Sequence, residues 1–222
     1  MDSTCNDSCC QSTWRAARNG HLECLKYTYK SHVGVGHEWD SETTRYAAKK
    51  GHLDCLKYAH ENGCEWHPET TLWAAMGGHL KCLRYAHENG CEWHPNTTYY
   101  ATSNGHLECL RYAHENGCEW HSCTTSVAAM NGHLECLRYA HENGCGWHQH
   151  ITLFAAEYGR LECLRYAHDN GCEWAPKTTY YAAMNGHLEC LRYAHDSLGA
   201  SCEWHPETTY TAARHGEIEC LT

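Results

Sequence analysis

The chain has 222 residues, with 17 Lys and Arg against 27 Asp and Glu, so its formal net charge is −10. That acidic balance argues against a nucleic-acid backbone or an anionic membrane as the main partner. No apolar run approaches the ~20 residues that span a bilayer, and Met1 to Asp7 lacks the basic and apolar regions of a secretory signal, which points to a cytoplasmic protein.

The 21 histidines outnumber the charge deficit, so mild acid reverses the net sign. Loosening or aggregation is therefore expected between about pH 7 and pH 5. Eighteen cysteines in a chain without an export signal read as reduced thiols, most of them small buried apolar side chains.

In chain order, residues 1–11 are polar and read as a frayed tail. Three thiols lie close together there, Cys5, Cys9 and Cys10, with no obvious fourth ligand for a metal nearby. From residue 12 onward the chain repeats itself. A glycine that opens one motif recurs at Gly20, Gly51, Gly78, Gly105, Gly132, Gly159, Gly186 and Gly216, at spacings of 31, 27, 27, 27, 27, 27 and 30 residues. A fixed period of this size marks stacked helical units, each too small to bury its own apolar face.

Each unit opens on a short helix. Ser12-Thr13-Trp14-Arg15-Ala16-Ala17, Thr70-Thr71-Leu72-Trp73-Ala74-Ala75 and Thr178-Thr179-Tyr180-Tyr181-Ala182-Ala183 are equivalent versions of it. The alanine pair favours helix and lets a neighbouring helix approach closely. Pro68, Pro95, Pro176 and Pro206 are placed at its start, where a missing N–H costs nothing. About two turns later the helix ends at a glycine turn such as Asn104-Gly105 or Asn131-Gly132.

A second helix runs from His106 to Asn116, with Leu107, Cys109, Leu110, Ala113 and His114 on one side. Glu108 and Arg111, three apart on the other side, are positioned to pair. Gly117 closes the helix and Cys118-Glu119-Trp120-His121 leads out in extended form. Two units are stretched at the end of this helix, around residues 30–38 and 196–201, where added loop length is cheap. The last unit stops at Ile218-Glu219-Cys220-Leu221-Thr222, part-way through its second helix. Residues 12–222 thus read as one all-α solenoid of helix-turn-helix repeats, about seven full and one partial.

The pattern Ala-Ala-x-x-Gly-His-Leu-Glu-Cys-Leu-Arg-Tyr-Ala-His-Glu-Asn-Gly-Cys-Glu-Trp resembles the ankyrin repeat over residues 12–222. On that resemblance Cys109 takes a core valine position and Cys118 the alanine after the glycine. The family's Thr-Pro-Leu-His opening is replaced by Asn96-Thr97-Thr98-Tyr99, and about six residues between Trp120 and Ala128 are lacking. Those six would build the projecting β-hairpin, so an ankyrin-like stack with reduced or absent fingers is implied. The resemblance further implies a protein that binds other proteins and does no chemistry.

Five Cys-x-x-His pairs invite a metal: Cys64–His67, Cys91–His94, Cys118–His121, Cys145–His148 and Cys202–His205. Two ligands are half a zinc site, however, and pairs in neighbouring repeats sit roughly 10 Å apart. The sixth unit has Ala175 in the histidine place. The simpler reading is a core cysteine followed by a histidine that begins the next loop or caps the next helix. The second histidine row, His60, His87, His114, His141, His168 and His195, reads as half-buried and hydrogen-bonded to a neighbour. Identical residues in every unit do not converge on one pocket, and no catalytic set, phosphate loop or cofactor motif is present.

Differences between units are more informative. The residues after Ala-Ala change most: Lys49-Lys50, Met76, Ser103-Asn104, Met130-Asn131, Glu157-Tyr158 and Met184-Asn185. Placed at the end of the first helix, on the concave side in ankyrin-like stacks, they form the candidate partner-binding row, with Met and Tyr as anchors. The expected function is a non-enzymatic protein–protein scaffold without cofactor, metal, membrane or nucleic-acid partner. The alternative is end-to-end self-assembly with copies of the same chain, and a third reading, metal binding, rests on the Cys and His count alone.

Overall fold

In a computed structural model the chain is described over residues 11–32, 39–197 and 207–215. The Cys5/Cys9/Cys10 trio, most of the first stretched segment, the second from residue 198 on, the Cys202–His205 pair, Pro206, Gly216 and the terminal helix all lie outside those residues. Fifteen helices and no strand occur among the described residues. First helices of the repeats are α1 (Thr13–Asn19), α3 (Glu42–Lys50), α5 (Thr70–Met76), α7 (Thr97–Ser103), α9 (Thr124–Asn131), α11 (Ile151–Glu157), α13 (Thr178–Met184) and α15 (Thr208–His215). Second helices are α2 (Leu22–His32), α4 (Leu53–Glu61), α6 (Leu80–Glu88), α8 (Leu107–Glu115), α10 (Leu134–Glu142), α12 (Leu161–Asp169) and α14 (Leu188–Asp196). The chain divides into two compact bodies, Met1–Glu119 and Trp120–Thr222.

Within the first body α1, α3, α5 and α7 pack side by side in order, and α2, α4, α6 and α8 form a second layer. The second body repeats this with α9, α11, α13 and α15 beside α10, α12 and α14. The alanine pair explains the first layer. Ala47, Ala48, Ala74, Ala75, Ala155, Ala156, Ala182 and Ala183 are all fully buried, so the backbones of successive helices come close. In the second layer one leucine per repeat, such as Leu83, Leu110 or Leu164, is fully buried beside Cys82, Cys109 or Cys163. Truncating such a leucine to alanine costs about 2–5 kcal/mol.

Both helix ends close in the expected way. In α8 the Gly117 N–H donates to the His114 carbonyl at 3.1 Å and the Cys118 N–H to that of Ala113 at 2.9 Å. This paired arrangement requires a left-handed residue, and Gly117 has φ +85°. The proline expectation is corrected by position. Pro68 lies two residues before α5, in a turn closed by the Thr70 N–H to the His67 carbonyl at 2.9 Å. Its fixed φ serves that turn rather than the first helical residue. The outer-face pairing is also only partly as read. Lys26–Glu23 and Arg192–Glu189 pair at 2.7 and 3.6 Å, while Arg138 and Arg165 lie 5.1 and 5.2 Å over the rings of Tyr166 and Tyr193 in the following repeat. A desolvated aromatic face competes successfully with a solvated carboxylate there.

Successive repeats are stitched by side chains that the motif alone left unexplained. In α3, α5, α9 and α11 the threonine at the second of the two paired positions, Thr44, Thr71, Thr125 or Thr152, is buried, and its hydroxyl joins two backbone groups of the next connector. Thr71 Oγ1 accepts the His94 N–H at 3.0 Å and donates to the Glu92 carbonyl at 3.2 Å. Thr125 bonds His148 N–H and the Gly146 carbonyl at 3.2 and 3.1 Å, and Thr152 bonds Ala175 N–H and the Glu173 carbonyl at 2.8 and 3.3 Å. On the other layer the Trp66, Trp93 and Trp147 indoles donate to the carbonyls of Asn89, Asn116 and Asn170 at 3.0, 3.0 and 3.3 Å. Each asparagine ends the next repeat's second helix, so the tryptophan satisfies an acceptor beyond the helix end.

One repeat departs. His67, His94, His121 and His148 each accept, at Nδ1, the backbone N–H two residues on, at 3.1 to 3.2 Å. Ala175 has no such nitrogen, and Lys177, two residues on, is the one non-glycine with positive φ (+68°) among the described residues. A lysine held there is strained by about 1–2 kcal/mol.

Candidate functional site

The candidate row is placed as follows. Lys49, Met76, Ser103, Met130, Asn131, Glu157 and Met184 are half-buried, while Lys50, Asn104, Tyr158 and Asn185 are exposed. Tyr158 is the most conspicuous, with 45% of its surface open. Asn104 and Asn185 turn back on their own helices, donating to the Tyr100 and Tyr181 carbonyls at 2.9 and 3.0 Å. That use of the amide makes them helix-end residues first.

The structure shows why the first residue after Ala-Ala tolerates change. Its backbone carbonyl meets the next repeat whatever side chain stands there. Arg160 Nε donates to the Met130 carbonyl at 3.2 Å, and the imidazoles of His52 and His79 bond the Arg18 and Lys49 carbonyls in the same way. The glycine of this turn is restricted twice. Gly51 has φ +75°, and a Cβ on it would lie 2.5 Å from His79 Nδ1. The recurring glycine and the variability of the residues before it follow from one contact, which Arg160 makes where the histidine is replaced.

A second set of variable residues was not picked out from the sequence. The two positions before Ala-Ala hold Trp14-Arg15, Arg45-Tyr46, Leu72-Trp73, Tyr99-Tyr100, Ser126-Val127, Leu153-Phe154 and Tyr180-Tyr181. They stand three or four residues before the recognised row, so they share its helix face. That spacing was the available signal. In the first body they assemble into a floor of rings with cations above it. Trp14 and Tyr46 lie 5.1 Å apart. Arg18 and Arg45 stand 5.7 and 5.3 Å over Tyr46, and Lys49 Nζ is 3.6 Å from the centre of the Trp73 ring.

Two carboxylates complete this face. Glu42 pairs with Arg45 at 2.9 Å and lies 3.3 Å from His67 Nε2. Glu69 accepts the Trp73 indole N–H at 3.0 Å and stands 3.6 Å from Arg45. The Trp73 bond, then Arg45, hold the Glu69 carboxyl below its usual range. Burial, and then Arg45, Lys50 and Arg18, lower the affinity of Lys49 for its proton.

The thiols and imidazoles are occupied structurally. Burial pushes Cys82, Cys109 and Cys163 up to about 12 and Cys55 and Cys118 up to about 11, so the thiolate is suppressed. The described thiols are free of disulfides. In the second histidine row His87, His141 and His168 pack on tryptophan and bond tyrosine, whereas His195 is exposed rather than half-buried and bonds Asp196 at 3.2 Å. His87 lies 4.4 Å from Trp93 and shares a 3.1 Å hydrogen bond with the Tyr112 hydroxyl; His141 does the same with Trp147 at 4.0 Å and Tyr166 at 3.0 Å. No cluster of three or more His, Cys, Asp or Glu able to hold a metal ion occurs among the described residues.

Two family models, both described as ankyrin repeats, match the chain. One, of three copies, covers residues 13–97 and 44–124, and one, of many copies, covers 153–195. The chain belongs to the ankyrin-repeat family. The crystal structure of the human ASB11 ankyrin repeat domain is similar, with a TM-score of 0.62 and 22% identity over 72% of this chain and 83% of that one. At that identity the likeness speaks for the fold. No curated protein matches. Ankyrin repeats are in general protein–protein interaction modules and in general carry out no chemistry. No helix among the described residues is long and apolar enough to cross a membrane.

Proposed function

We propose that this ankyrin-repeat chain is a non-enzymatic scaffold that binds other proteins through the variable side chains at the ends of its first helices. The observation that carries the reading is the division of labour at the end of each first helix. Backbone carbonyls such as that of Met130 hold the next repeat, which leaves the side chains open to vary. Methionine and tyrosine there supply apolar, adaptable contact area suited to a protein surface.

In the second body the test residues are Met130, Tyr158 and Met184. Replacing all three with alanine is expected to abolish capture of the native partner while helicity is retained. Undiminished capture by the folded variant refutes this surface. Size-exclusion across a range of concentrations separates capture of a partner from assembly with copies of the same chain, since only assembly shifts the elution of the purified protein.

A further inference from the structure

Charge is distributed unevenly along the first helices. Six Lys or Arg residues occur in them, and five are in α1 and α3: Arg15, Arg18, Arg45, Lys49 and Lys50. The sixth is Arg214, and α5, α7, α9, α11 and α13 have none. This concentration runs against the formal charge of −10 for the whole chain.

The cations differ in what they already hold. Arg45 is bracketed by Glu42 and Glu69. Arg15, Arg18, Lys49 and Lys50 have no ion pair among the described residues. Three of these four are fixed over rings instead: Arg15 at 5.2 Å from Trp14, Arg18 over Tyr46 and Lys49 over Trp73. An aromatic face orients a cation without neutralising it, so the charge stays available to an incoming anion. The half-buried rings themselves provide apolar area beside each charge.

We propose that the face formed by Trp14, Arg18, Tyr46, Lys49, Lys50 and Trp73 docks an Asp- and Glu-rich segment of a partner protein. The proposal rests on the scaffold reading above and gives its first body a partner chemistry. The cations are spread over two adjacent helices rather than converging on a point, which suits an extended chain of carboxylates. Burial first, and then the neighbouring cations Arg45, Lys50 and Arg18, lower the proton affinity of Lys49, and a bound carboxylate offsets the part that comes from those cations. A polyphosphate backbone is disfavoured because it extends beyond the patch into the field of an acidic protein.

The test uses the full chain and a fluorescein-labelled peptide of Glu, Asp and Ser, followed by anisotropy at low ionic strength. A Lys/Ser peptide of equal length and a single-stranded DNA of equal charge serve as comparisons. Saturable binding of the acidic peptide is expected, weakening with salt and exceeding that of both comparisons. The combined variant Arg18→Gln, Lys49→Met and Lys50→Gln should lose at least about tenfold in affinity. Lys49→Met alone keeps the packing over Trp73 and is expected to lose a smaller but measurable part, which guards against misfolding of the combined variant. Absence of saturable binding, equal binding by folded variants, or preference for the DNA overturns the proposal. The scaffold reading has its own readout in Met130, Tyr158 and Met184, which lie outside this face. Loss of partner capture there, with no acidic-peptide binding here, retires only the present proposal.

Discussion

Thr70 and Thr71 are adjacent, both fully buried, and should respond oppositely to the same substitution. The Thr71 hydroxyl accepts from His94 N–H at 3.0 Å, donates to the Glu92 carbonyl at 3.2 Å, and lies 3.4 Å from the Thr97 hydroxyl. The Thr70 hydroxyl has no hydrogen-bond partner among the described residues. Valine preserves the shape of threonine and removes only the hydroxyl. Thr71→Val therefore deletes two inter-repeat bonds at about 1 kcal/mol each and leaves a backbone donor and acceptor without their partner, a loss of about 2–3 kcal/mol. Thr70→Val removes a buried hydroxyl that has nothing to bond and should be neutral or stabilising by about 1 kcal/mol. The gap of about 3 kcal/mol corresponds to a separation of about 6–12 °C in melting temperature for a chain of this size. Urea titration and thermal melting followed by far-UV circular dichroism read both variants directly. If Thr71→Val is as stable as Thr70→Val, the threonine stitch does not hold the repeats together and the reasoning fails.

Other expectations follow from the same geometry. Lys177→Gly should raise the melting temperature by relieving about 1 kcal/mol of left-handed strain, whereas a lower melting temperature would show that the lysine is not strained. Trp93→Phe should cost about 1 kcal/mol by removing the bond to the Asn116 carbonyl, measured by denaturant titration; no loss would assign the tryptophan to stacking alone. Burial lowers the proton affinity of His52 and His79 from the usual 6.5. Their contribution is therefore present above about pH 6.5 and is lost as pH falls below it. A melting temperature that stays flat from pH 7 to pH 5 would contradict this. The thiols act at the opposite end. Cys82 and Cys109 rise from 9.0 to about 12 on burial, so stability is full below about pH 9 and declines as pH climbs toward 12. Mass spectrometry after iodoacetamide treatment at pH 8 should find both unlabelled in the native protein and labelled in urea; rapid native labelling would refute their burial.

The repeat period, the two helices of each unit, their glycine closures and the leucine–cysteine core were legible in the sequence. They depend on residues within one motif, and local backbone conformation with apolar periodicity decides them. The place of His67 in the turn ahead of a helix and the half-buried setting of His87 were legible too, since each follows from the residue's place beside a helix end or core position. What the sequence could not show was where one repeat touches the next. The Thr71 bond to the connector 21 to 23 residues on, the Trp93 bond to Asn116 and the turning of Arg138 from Glu135 onto Tyr166 are all contacts across the period. The ring-and-cation face at Trp14, Tyr46 and Trp73 is of the same kind. Its residues lie 30 or so apart in sequence and become neighbours only because the small alanine pairs bring α1, α3 and α5 together. The motif by itself determined the building block; stacking decided which of its variable side chains share a surface.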